Sequence, residues 1–486
     1  MGCLTQLYSP VLVCSSTQIE FHAFPHQSLR SFIVDPLTNA FPSSQSLCVF
    51  DSFSTCCLVC CGIPKMAPRT RVIIDTDPGN DDVLALLYAL ASSPEDIEVL
   101  LISIAFGNVN VQNCLRNAVS MFHVIEKEMR WRKEHGRPEG FEALKKSKPV
   151  IAVGADEPLG GKRVQAAYYH GADGLGGVHT SHPHHTSPSE TWQHLFDRPP
   201  PDTVPSSTAT TTTTTKPAST SPTSPLFTPS SSPAHLEILN ILDREPPQTI
   251  TLIAIGPLTT FATAAAHAPT TFLKAKSLLV MGGAIAVPGN MTPVAEFNAL
   301  ADPIAAARIY ALTSPAPQST MPPFNPATTS LTDYPPPAHL GAQRLRVVKF
   351  PLDITTPHSL RRDEVLATVE PLRALGSPLA EWVMAFTEQG FRTTEALNVG
   401  FEDGGGDTWV SLHDPVVLWF AVATGGEGRM MEGWEVVRGE DVRVETVGQW
   451  TRGMCVVDGR DRKKRVEGEG GRGRGRGRWR GIWGIG

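Results

Sequence analysis

From residue 71 onwards, short apolar runs alternate with helical stretches, and this alternation constrains the fold more than any other feature. A β-branched run over 71–77 precedes a helical pattern over 81–90, and an apolar run over 97–106 precedes a long amphipathic segment over 111–132. Strands that alternate with helices form parallel β-α-β units around a buried sheet. The sequence therefore predicts an α/β fold with an open, mostly parallel sheet flanked by helices. Further strands are expected over 149–154, 249–255, 277–282 and 347–353, and further helices over 258–267 and 303–312.

The two ends of the 486-residue chain differ from this body. Residues 1–65 show no sustained strand or helix period, and at Met66 the character changes at once. We expect 1–65 to be a disordered leader or a gene-model artefact, with Met66 as the biological start. The last segment, 461–486, is rich in Arg and Gly, which predicts a basic tail. The body, 66–460, is then expected to form one domain.

Cysteine usage and hydropathy limit the class of protein. Seven of the nine cysteines lie in the leader, and the body keeps only Cys114 and Cys455, too few for a disulfide framework. This distribution predicts a reduced, cytoplasmic body. The leader's adjacent pairs, Cys56-Cys57 and Cys60-Cys61, lack the second half of a zinc clip, so a zinc site there is not favoured. Apolar runs shorter than roughly 20 residues exclude an integral membrane protein.

Two segments interrupt the pattern within the body. Residues 181–234 contain a threonine run and a Ser/Thr/Pro tract, and such a composition cannot offset the entropy of ordering the chain. We therefore expect a disordered insertion there, and a second, Pro-rich excursion over 313–342. Histidines at the start of the first segment could bind a metal, although solvated loop histidines are the favoured interpretation. These histidines are His179, His182, His184 and His185.

The strongest chemical signal is a cluster of acids at the end of the first strand. Asp75 and Asp77 are two residues apart and project to the same side, and Asp81 and Asp82 begin the following helix. Capping and turn chemistry account for one or two of these acids, not four. Because the carboxyl edge of a parallel sheet is where ligands bind, the cluster predicts a site for a hard divalent cation, calcium or magnesium.

Downstream residues add amides, acids and a histidine after later strands. These acids and amides, with little basic charge nearby, suit a neutral polyhydroxylated substrate better than a phosphate. An Asp that follows a His at the start of an apolar run is a further candidate metal ligand. The residues are Asn108, Asn290, Glu296, Asn298, His413 and Asp414.

The acidic octet Asp75–Asp82 resembles the N-terminal signature of the inosine-uridine preferring nucleoside hydrolases. The resemblance continues in chain order over about 66–460, apart from the two insertions. The matching segments are Gly107-Asn108, His170-Gly171-Ala172-Asp173-Gly174-Leu175-Gly176, Ile255-Gly256-Pro257-Leu258-Thr259, Met281-Gly282-Gly283, Gly289-Asn290, Glu296-Phe297-Asn298 and His413-Asp414-Pro415.

This resemblance implies calcium-dependent hydrolysis of the N-glycosidic bond of ribonucleosides, giving ribose and a free base, with a role in purine or pyrimidine salvage. Calcium would be held by the carboxylates of Asp77, Asp82 and Asp414 and by the backbone carbonyl of Ile255. It would lower the pKa of a bound water, Asp77 would accept the proton, and the hydroxide would attack the ribose C1′. Asp75 would orient its neighbours. The ribose would be bound by Asp81, Asn108, Asn290, Glu296 and Asn298.

The same resemblance leaves the base open. His413 is the best candidate for the acid that protonates the leaving base, and His170 lies in a Gly-rich loop that could be part of the pocket or merely structural. The region 386–408 contains Phe391 and Phe401 but lacks the tyrosines associated with some purine-cleaving members. The sequence therefore does not assign a base preference. Family members are commonly dimers or tetramers, so a homo-oligomer is expected.

Two other functions are compatible with parts of the sequence. A haloacid-dehalogenase-type phosphatase also uses an Asp-x-Asp at a strand end, but it would not continue with Pro78-Gly79-Asn80 and two further acids. An inert hydrolase-like protein could instead bind RNA through its tail, where Arg472–Arg478 and two tryptophans offer phosphate contacts and stacking. The presence of both Asp77 and Asp414 favours the enzyme.

Overall fold

The computed structural model describes residues 69–197, 226–322, 331–341, 343–397, 408–425, 436–458 and 482–485. The strands are β1 (Thr70–Thr76), β2 (Ile97–Ile104), β3 (Val150–Val153), β4 (Thr228–Ser230), β5 (Ile250–Ala254), β6 (Ser277–Met281), β7 (Val347–Phe350), β8 (Ser359–Arg361), β9 (Trp409–Ser411), β10 (Val436–Arg438), β11 (Arg443–Val444), β12 (Cys455–Val456) and β13 (Ile482–Ile485).

The helices are α1 (Asn80–Ala91), α2 (Val111–Glu134), α3 (Glu142–Lys146), α4 (Ala167–His170), α5 (Val178–Ser181), α6 (Ala234–Arg244), α7 (Thr259–His267), α8 (Pro269–Phe272), α9 (Phe297–Ala301), α10 (Pro303–Ala311), α11 (Pro337–Leu340), α12 (Leu352–Thr355), α13 (Arg362–Ala374), α14 (Pro378–Leu397) and α15 (His413–Thr424). Single 3-10 turns occur at Pro183–His185, Ser189–Thr191, Gln193–Leu195 and Pro317–Ser319.

Seven parallel strands form the centre of the main sheet, in the order β4-β3-β2-β1-β5-β6-β7. Beyond β7, the strand β13 lies antiparallel to it, and β10 pairs with β13. Two small antiparallel ladders, β8 with β9 and β11 with β12, complete the described strands. The prediction of an open, mostly parallel sheet flanked by helices is confirmed.

Helices cover both faces of the sheet, and the first strand shows how the sequence achieves this. Val72 and Ile74 belong to one buried cluster, whereas Ile73 between them belongs to the other, because successive strand side chains point to opposite faces. Helices α1, α2, α14 and α15 contribute to the first cluster, and α6, α7 and α10 contribute to the second. The strands therefore read as continuous apolar runs, as expected for a doubly covered parallel sheet.

The turn from β1 into α1 places the acidic octet at the carboxyl edge of the sheet. Gly79 is the N-cap of α1, and its backbone N–H donates to the Asp82 carboxylate at 3.0 Å. The turn is held from the next strand as well, because Asn108, which follows β2, donates to the Asp77 carbonyl at 3.1 Å. The edge of the sheet therefore gathers residues that are far apart in the sequence.

Both ends of the segment 181–234, which was expected to be disordered, are ordered in the structure. Residues 226–234 enter the fold as β4 and the start of α6, and the Phe227 ring lies 5.0 Å from that of Phe122. Trp192, on the other side of the insertion, is also buried. Phe227 and Trp192 are large apolar side chains that are buried in the fold, although the segment around them is rich in Ser, Thr and Pro. The interior of the insertion, 198–225, lies outside the described residues.

The chain ends differ in a similar way. The leader, 1–65, and Met66 lie outside the described residues, as do 461–481 of the tail. Residues 482–485 of that tail form β13 within the main sheet, where Trp483 pairs with Lys349 of β7, so this part is not a solvated extension. Of the Pro-rich segment 313–342, Tyr334 is buried with its ring under the Arg308 guanidinium.

Two general expectations bear on the body. Cys114 and Cys455 are both buried and free of disulfides. Within the described ranges, no helix combines the length and the apolar character that crossing a bilayer requires.

Candidate active site

A cavity of about 500 Å³ opens at the carboxyl edge of the sheet. This volume lies within the usual range for small-molecule sites. Three of the predicted site residues, Asp75, Asp77 and Asp82, do not line the cavity and are almost fully buried. The other predicted residues all line it: Asp81, Asn108, Ile255, Asn290, Glu296, Asn298, His413 and Asp414.

Asp82 is held rigidly by four hydrogen bonds from the octet and its neighbours. Its Oδ1 accepts from Thr76 Oγ1 at 2.6 Å and from the Asp77 backbone N–H at 3.3 Å. Its Oδ2 accepts from the Gly79 backbone N–H at 3.0 Å and from Asn108 Nδ2 at 2.9 Å. These bonds fix the carboxylate orientation, so Asp82 can present its remaining lone pairs without reorganisation.

Asp77 combines one satisfied carboxylate oxygen with one that is not. Its Oδ2 accepts from the Asn108 backbone N–H at 2.7 Å, whereas its Oδ1 has no hydrogen-bond partner among the described residues. Burial and then the negative charge of Asp82 raise the pKa of Asp77 well above its usual value. The backbone leaves little room around it, since a Cβ on Gly107 would lie 1.9 Å from Oδ2 and one on Gly256 would lie 2.4 Å from Oδ1.

Asp75 lies below these acids in the sheet and accepts a hydrogen bond from Ser103 Oγ of the neighbouring strand β2. It is fully buried, and this burial raises its pKa to about 7, although its hydroxyl contacts work in the opposite direction. Asp75 does not line the cavity, and its orienting role stays a prediction.

Asp81, Asp82 and Asp414 bring carboxylate oxygens within 4.8 Å of one another. Burial raises the pKa of all three, to about 7 for Asp81 and well above the usual value for Asp414, and neighbouring carboxylates raise the pKa of Asp81 and Asp414 further. Clustered, buried carboxylates of this kind need protons or a cation to balance their charge. The donor set is made only of oxygens, which fits a hard divalent ion such as calcium. The structure thus adds Asp81 to the candidate ligands.

Glu296 and Asn298, which follow β6 in the chain, also line the cavity. Glu296 caps α9, and its carboxylate accepts backbone N–H bonds from Asn298 at 2.8 Å, Gly283 at 2.6 Å and Ala299 at 3.0 Å. Burial raises its pKa despite these bonds. Asn298 Nδ2 donates to the Ile255 carbonyl at 3.2 Å, which places the predicted backbone ligand at the cavity wall.

Asn290 takes part in the same wall, since its Oδ1 accepts from the Phe297 backbone N–H at 3.0 Å. Asn290 itself lines the cavity. Asn108 lies on the opposite wall, with its amide engaged by Asp77 and Asp82. The predicted amides thus stand on two sides of the cavity, where they can bind a ligand that enters between them.

Two histidines, His170 and His413, line the cavity. His413 begins α15, and its Nδ1 is hydrogen-bonded to Thr355 Oγ1 at 2.8 Å. His170 accepts a hydrogen bond on Nδ1 from the Asn80 backbone N–H at 3.2 Å, so it is part of the cavity and not only of a structural loop. Burial lowers the pKa of His413 to about 4 and that of His170 to about 3, which makes both imidazoles neutral at neutral pH.

Sequence reasoning missed several residues of the cavity. Asn80 is 8% exposed and lines the cavity, and neither polar atom of its amide has a partner among the described residues. Tyr168, Tyr169 and Trp409 supply aromatic surface, with Tyr168 and Trp409 partly exposed. Both tyrosines lie outside 386–408, because they immediately precede His170 in α4. Their position beside the Gly-rich loop was the signal that could have found them.

Comparisons with known proteins agree with this geometry. The sequence profile described as inosine-uridine preferring nucleoside hydrolase matches residues 72–470. An uncharacterized protein, C1683.06c, from Schizosaccharomyces pombe is 30% identical over 391 residues, which cover 80% of this chain and 89% of that protein. The pyrimidine-specific ribonucleoside hydrolase RihA from Salmonella arizonae is 28% identical over 388 residues, 80% of this chain and 88% of that protein.

Among solved structures, a purine-preferring ribonucleoside hydrolase from Gardnerella vaginalis shares the fold. It has a TM-score of 0.52 and 18% identity, and the match covers 86% of this chain and 93% of that chain. The extent of the profile match, the coverage of these relatives and the acidic cavity at the sheet edge lead to one assignment: the chain belongs to the inosine-uridine preferring nucleoside hydrolase family and is a hydrolase that acts on nucleosides.

Proposed function

We propose that the protein catalyses calcium-dependent hydrolysis of the N-glycosidic bond of ribonucleosides, giving ribose and a free base. The observation that carries this proposal is the unpartnered, buried Oδ1 of Asp77 beside the three clustered carboxylates of Asp81, Asp82 and Asp414. A buried acceptor without a donor is costly unless a ligand satisfies it. A cation and a water molecule at this position would do so.

The chain's own residues fit calcium well. We propose that the carboxylates of Asp77, Asp82 and Asp414 and the Ile255 carbonyl hold it. When bound, calcium would offset the carboxylate charge and lower the pKa of a water molecule beside it. Asp81 lies within the same carboxylate cluster and also lines the cavity, so it can reach the sugar from the metal side.

Asp77 is proposed as the general base because its Oδ1 has no competing donor among the described residues and the neighbouring charges of Asp82 and Asp81 favour its taking up a proton. In the reaction, Asp77 Oδ1 takes one proton from water, and the water oxygen forms a bond to the ribose C1′. The C1′–N bond breaks, and its electron pair leaves with the base nitrogen, which then gains a proton. General base catalysis of this kind contributes roughly 10²–10⁴-fold to a rate.

The remaining predicted residues position the sugar. Four residues that line the cavity can hydrogen-bond ribose hydroxyls: Asn108, Asn290, Glu296 and Asn298. Asp75 does not line the cavity but accepts a hydrogen bond from Ser103, which belongs to the strand that precedes Asn108. Acids and amides that surround a sugar also stabilise the positive charge that develops on it in the transition state.

His413 is proposed to assist departure of the base. Its Nδ1 is engaged by Thr355, so Nε2 is the nitrogen that we assign to the base. The neutral imidazole predicted from its lowered pKa can donate a hydrogen bond to the leaving nitrogen. His170 also lines the cavity and can contact the same part of the substrate.

The identity of the base that the substrate carries is a separate question from the type of reaction. The relatives carry both pyrimidine-specific and purine-preferring names, so a ribonucleoside is the substrate class we propose. The aromatic surface of Tyr168 and Trp409 at the cavity can accept either type of base. A cytoplasmic location, a role in nucleoside salvage and a homo-oligomer stay predictions from the sequence.

The test measures free ribose released from inosine, uridine, cytidine and nicotinamide riboside, with calcium and with chelator. The Asp77→Asn variant keeps an acceptor for the Asn108 N–H but cannot take a proton, so we expect kcat to fall by at least about 10²-fold. The matched control is Asp243→Asn, which replaces an exposed aspartate paired with Lys274 and should leave kcat unchanged.

The inert, RNA-binding alternative is not favoured, because the family match spans the body and no predicted site residue is missing. It would replace the proposal if no nucleoside released ribose and RNA were retained in a salt-sensitive way that required 460–486. Unchanged turnover in Asp77→Asn would refute the proposed base.

A further inference from the structure

Outside the cavity, the His-rich turn that follows the Gly-rich loop meets the long helix α14. His184 Nε2 lies 3.2 Å from Glu381 Oε2, and His185 Nε2 lies 3.0 Å from the same oxygen. The two imidazoles are consecutive in sequence and occupy a 3-10 turn, Pro183–His185, that brings both rings to one side. Two rings and one carboxylate thus converge on a single point of the surface.

The spacing of the three atoms suits a tetrahedral metal ion. All three potential ligand atoms lie within 4.8 Å of one another. With zinc bonds of about 2.0–2.1 Å to nitrogen or oxygen, neighbouring ligand atoms of a tetrahedral site stand roughly 3.3 Å apart. The two nitrogen-to-oxygen separations here are close to that value, so an ion could enter with small side-chain shifts.

The charges at the cluster also suit a divalent ion. Metal ligands bind in their deprotonated form, and Glu381 supplies an anionic donor beside the two imidazoles. Lys127, whose ammonium donates to the His184 carbonyl, is the nearby cation.

The donor set distinguishes this cluster from the catalytic cavity. The carboxylate cluster of the cavity contains only oxygen donors, which select hard ions, whereas two imidazoles and one carboxylate select zinc and related transition ions. His185 is almost fully buried and His184 is half exposed, so the cluster has both a fixed ligand and an opening to solvent. The ring of His182 lies 6.0 Å from that of His184 and is a further imidazole near this opening.

We propose that His184, His185 and Glu381 form a second metal site, for a divalent transition ion of the zinc class, which fastens the His-rich turn to α14. The other half of α14 lines the catalytic cavity through Thr387, Gly390 and Thr394. The metal therefore ties the segment after the Gly-rich loop to the helix that forms one wall of the cavity. This inference does not depend on the proposed reaction.

Equilibrium dialysis of the full chain against zinc, in excess calcium, tests the proposal. The calcium keeps the oxygen-only site from contributing. We expect wild type to retain one zinc ion more than His184→Asn or Glu381→Gln, with affinity at this site lowered at least about 100-fold in each variant. His194→Asn, an exposed histidine in the same region, is the control and should retain as much zinc as wild type.

Glu381→Gln separates the metal from a simple hydrogen-bonded clamp. Glutamine can still accept from the imidazole N–H groups but supplies no anionic ligand, and His184→Asn removes an exposed ring, so both variants should fold. Zinc should raise the Tm of wild type in proportion to the logarithm of its concentration, and this rise should be lost in both variants. Equal zinc retention by wild type and both variants would overturn the proposal.

Discussion

Asp75 offers a direct measurement of what the buried acids cost the fold. It is fully buried, and burial raises its pKa from 3.8 to about 7. A group whose pKa is higher in the folded state binds more protons there, so its contribution to stability falls as pH rises from the unfolded to the folded pKa. We predict that Asp75→Asn removes this loss in calcium-free buffer.

The magnitude follows from the pKa shift. A shift of roughly 3 units corresponds to about 4 kcal/mol of destabilisation once the pH exceeds both values. About a third of this cost is already present at pH 5, because the carboxyl group of the unfolded chain is ionised there. Wild type should therefore lose about 3 kcal/mol relative to Asp75→Asn between pH 5 and pH 8. Any constant cost of placing an amide beside Ser103 cancels from this difference.

Urea unfolding in chelator at pH 5 and pH 8 provides the assay, with both proteins measured at both values. Asp353→Asn is a suitable control, since Asp353 is also buried but accepts backbone N–H bonds from Ile285 and Ala286. That variant should be destabilised, because it loses charge-assisted hydrogen bonds. An Asp75→Asn effect of the same size at both pH values would refute the reasoning, since the destabilisation would then not arise from ionisation.

Two further predictions concern close packing and acid stability. Gly107→Ala places a Cβ 1.9 Å from Asp77 Oδ2, so the Asp77 carboxylate must move. The kcat for nucleoside hydrolysis should then fall about 100-fold, while the far-UV circular dichroism spectrum stays unchanged. Full activity of this variant would contradict the position assigned to Asp77. Burial lowers the pKa of His358 to about 4 from 6.5, so its contribution to stability is lost as pH falls through that interval. Between pH 7 and pH 4, wild type should therefore lose about 3 kcal/mol more unfolding free energy than His358→Gln in urea titrations, and parallel curves would exclude this origin.

The sequence was most informative where local patterns and burial agree. Strand β1 and helix α1 differ from their predicted bounds by one residue at each end, since an apolar run followed by a Pro-Gly turn and a helix start admits few alternatives. The acids of the octet could be placed at the carboxyl edge because that edge follows from parallel β-α-β order. The sequence alone thus predicted the fold class and the placement of these acids at the carboxyl edge of the sheet.

What the sequence could not predict depends on contacts between distant segments. Strand β4 has only three residues, and its pairing with β3 emerges only when Phe227 is seen to pack on Phe122. The joint position of His184 and His185 next to Glu381 likewise joins residues almost 200 positions apart. Neither partner carries a local signal for the other, so the sequence favours solvated loop histidines over metal ligands and does not connect them with Glu381.

The buried carboxylates beside the cavity also bear on how such a protein can change over generations. Replacing Asp75 by a neutral residue of the same shape relieves the cost of burying charge, so selection for stability alone would favour loss of this acid. Random substitution would therefore tend to remove the acids from a chain that no longer needed them. The same physical argument applies to Asp77, Asp81, Asp82 and Asp414, whose pKa values burial also raises, so the acidic cluster is kept at a cost to the stability of the calcium-free protein.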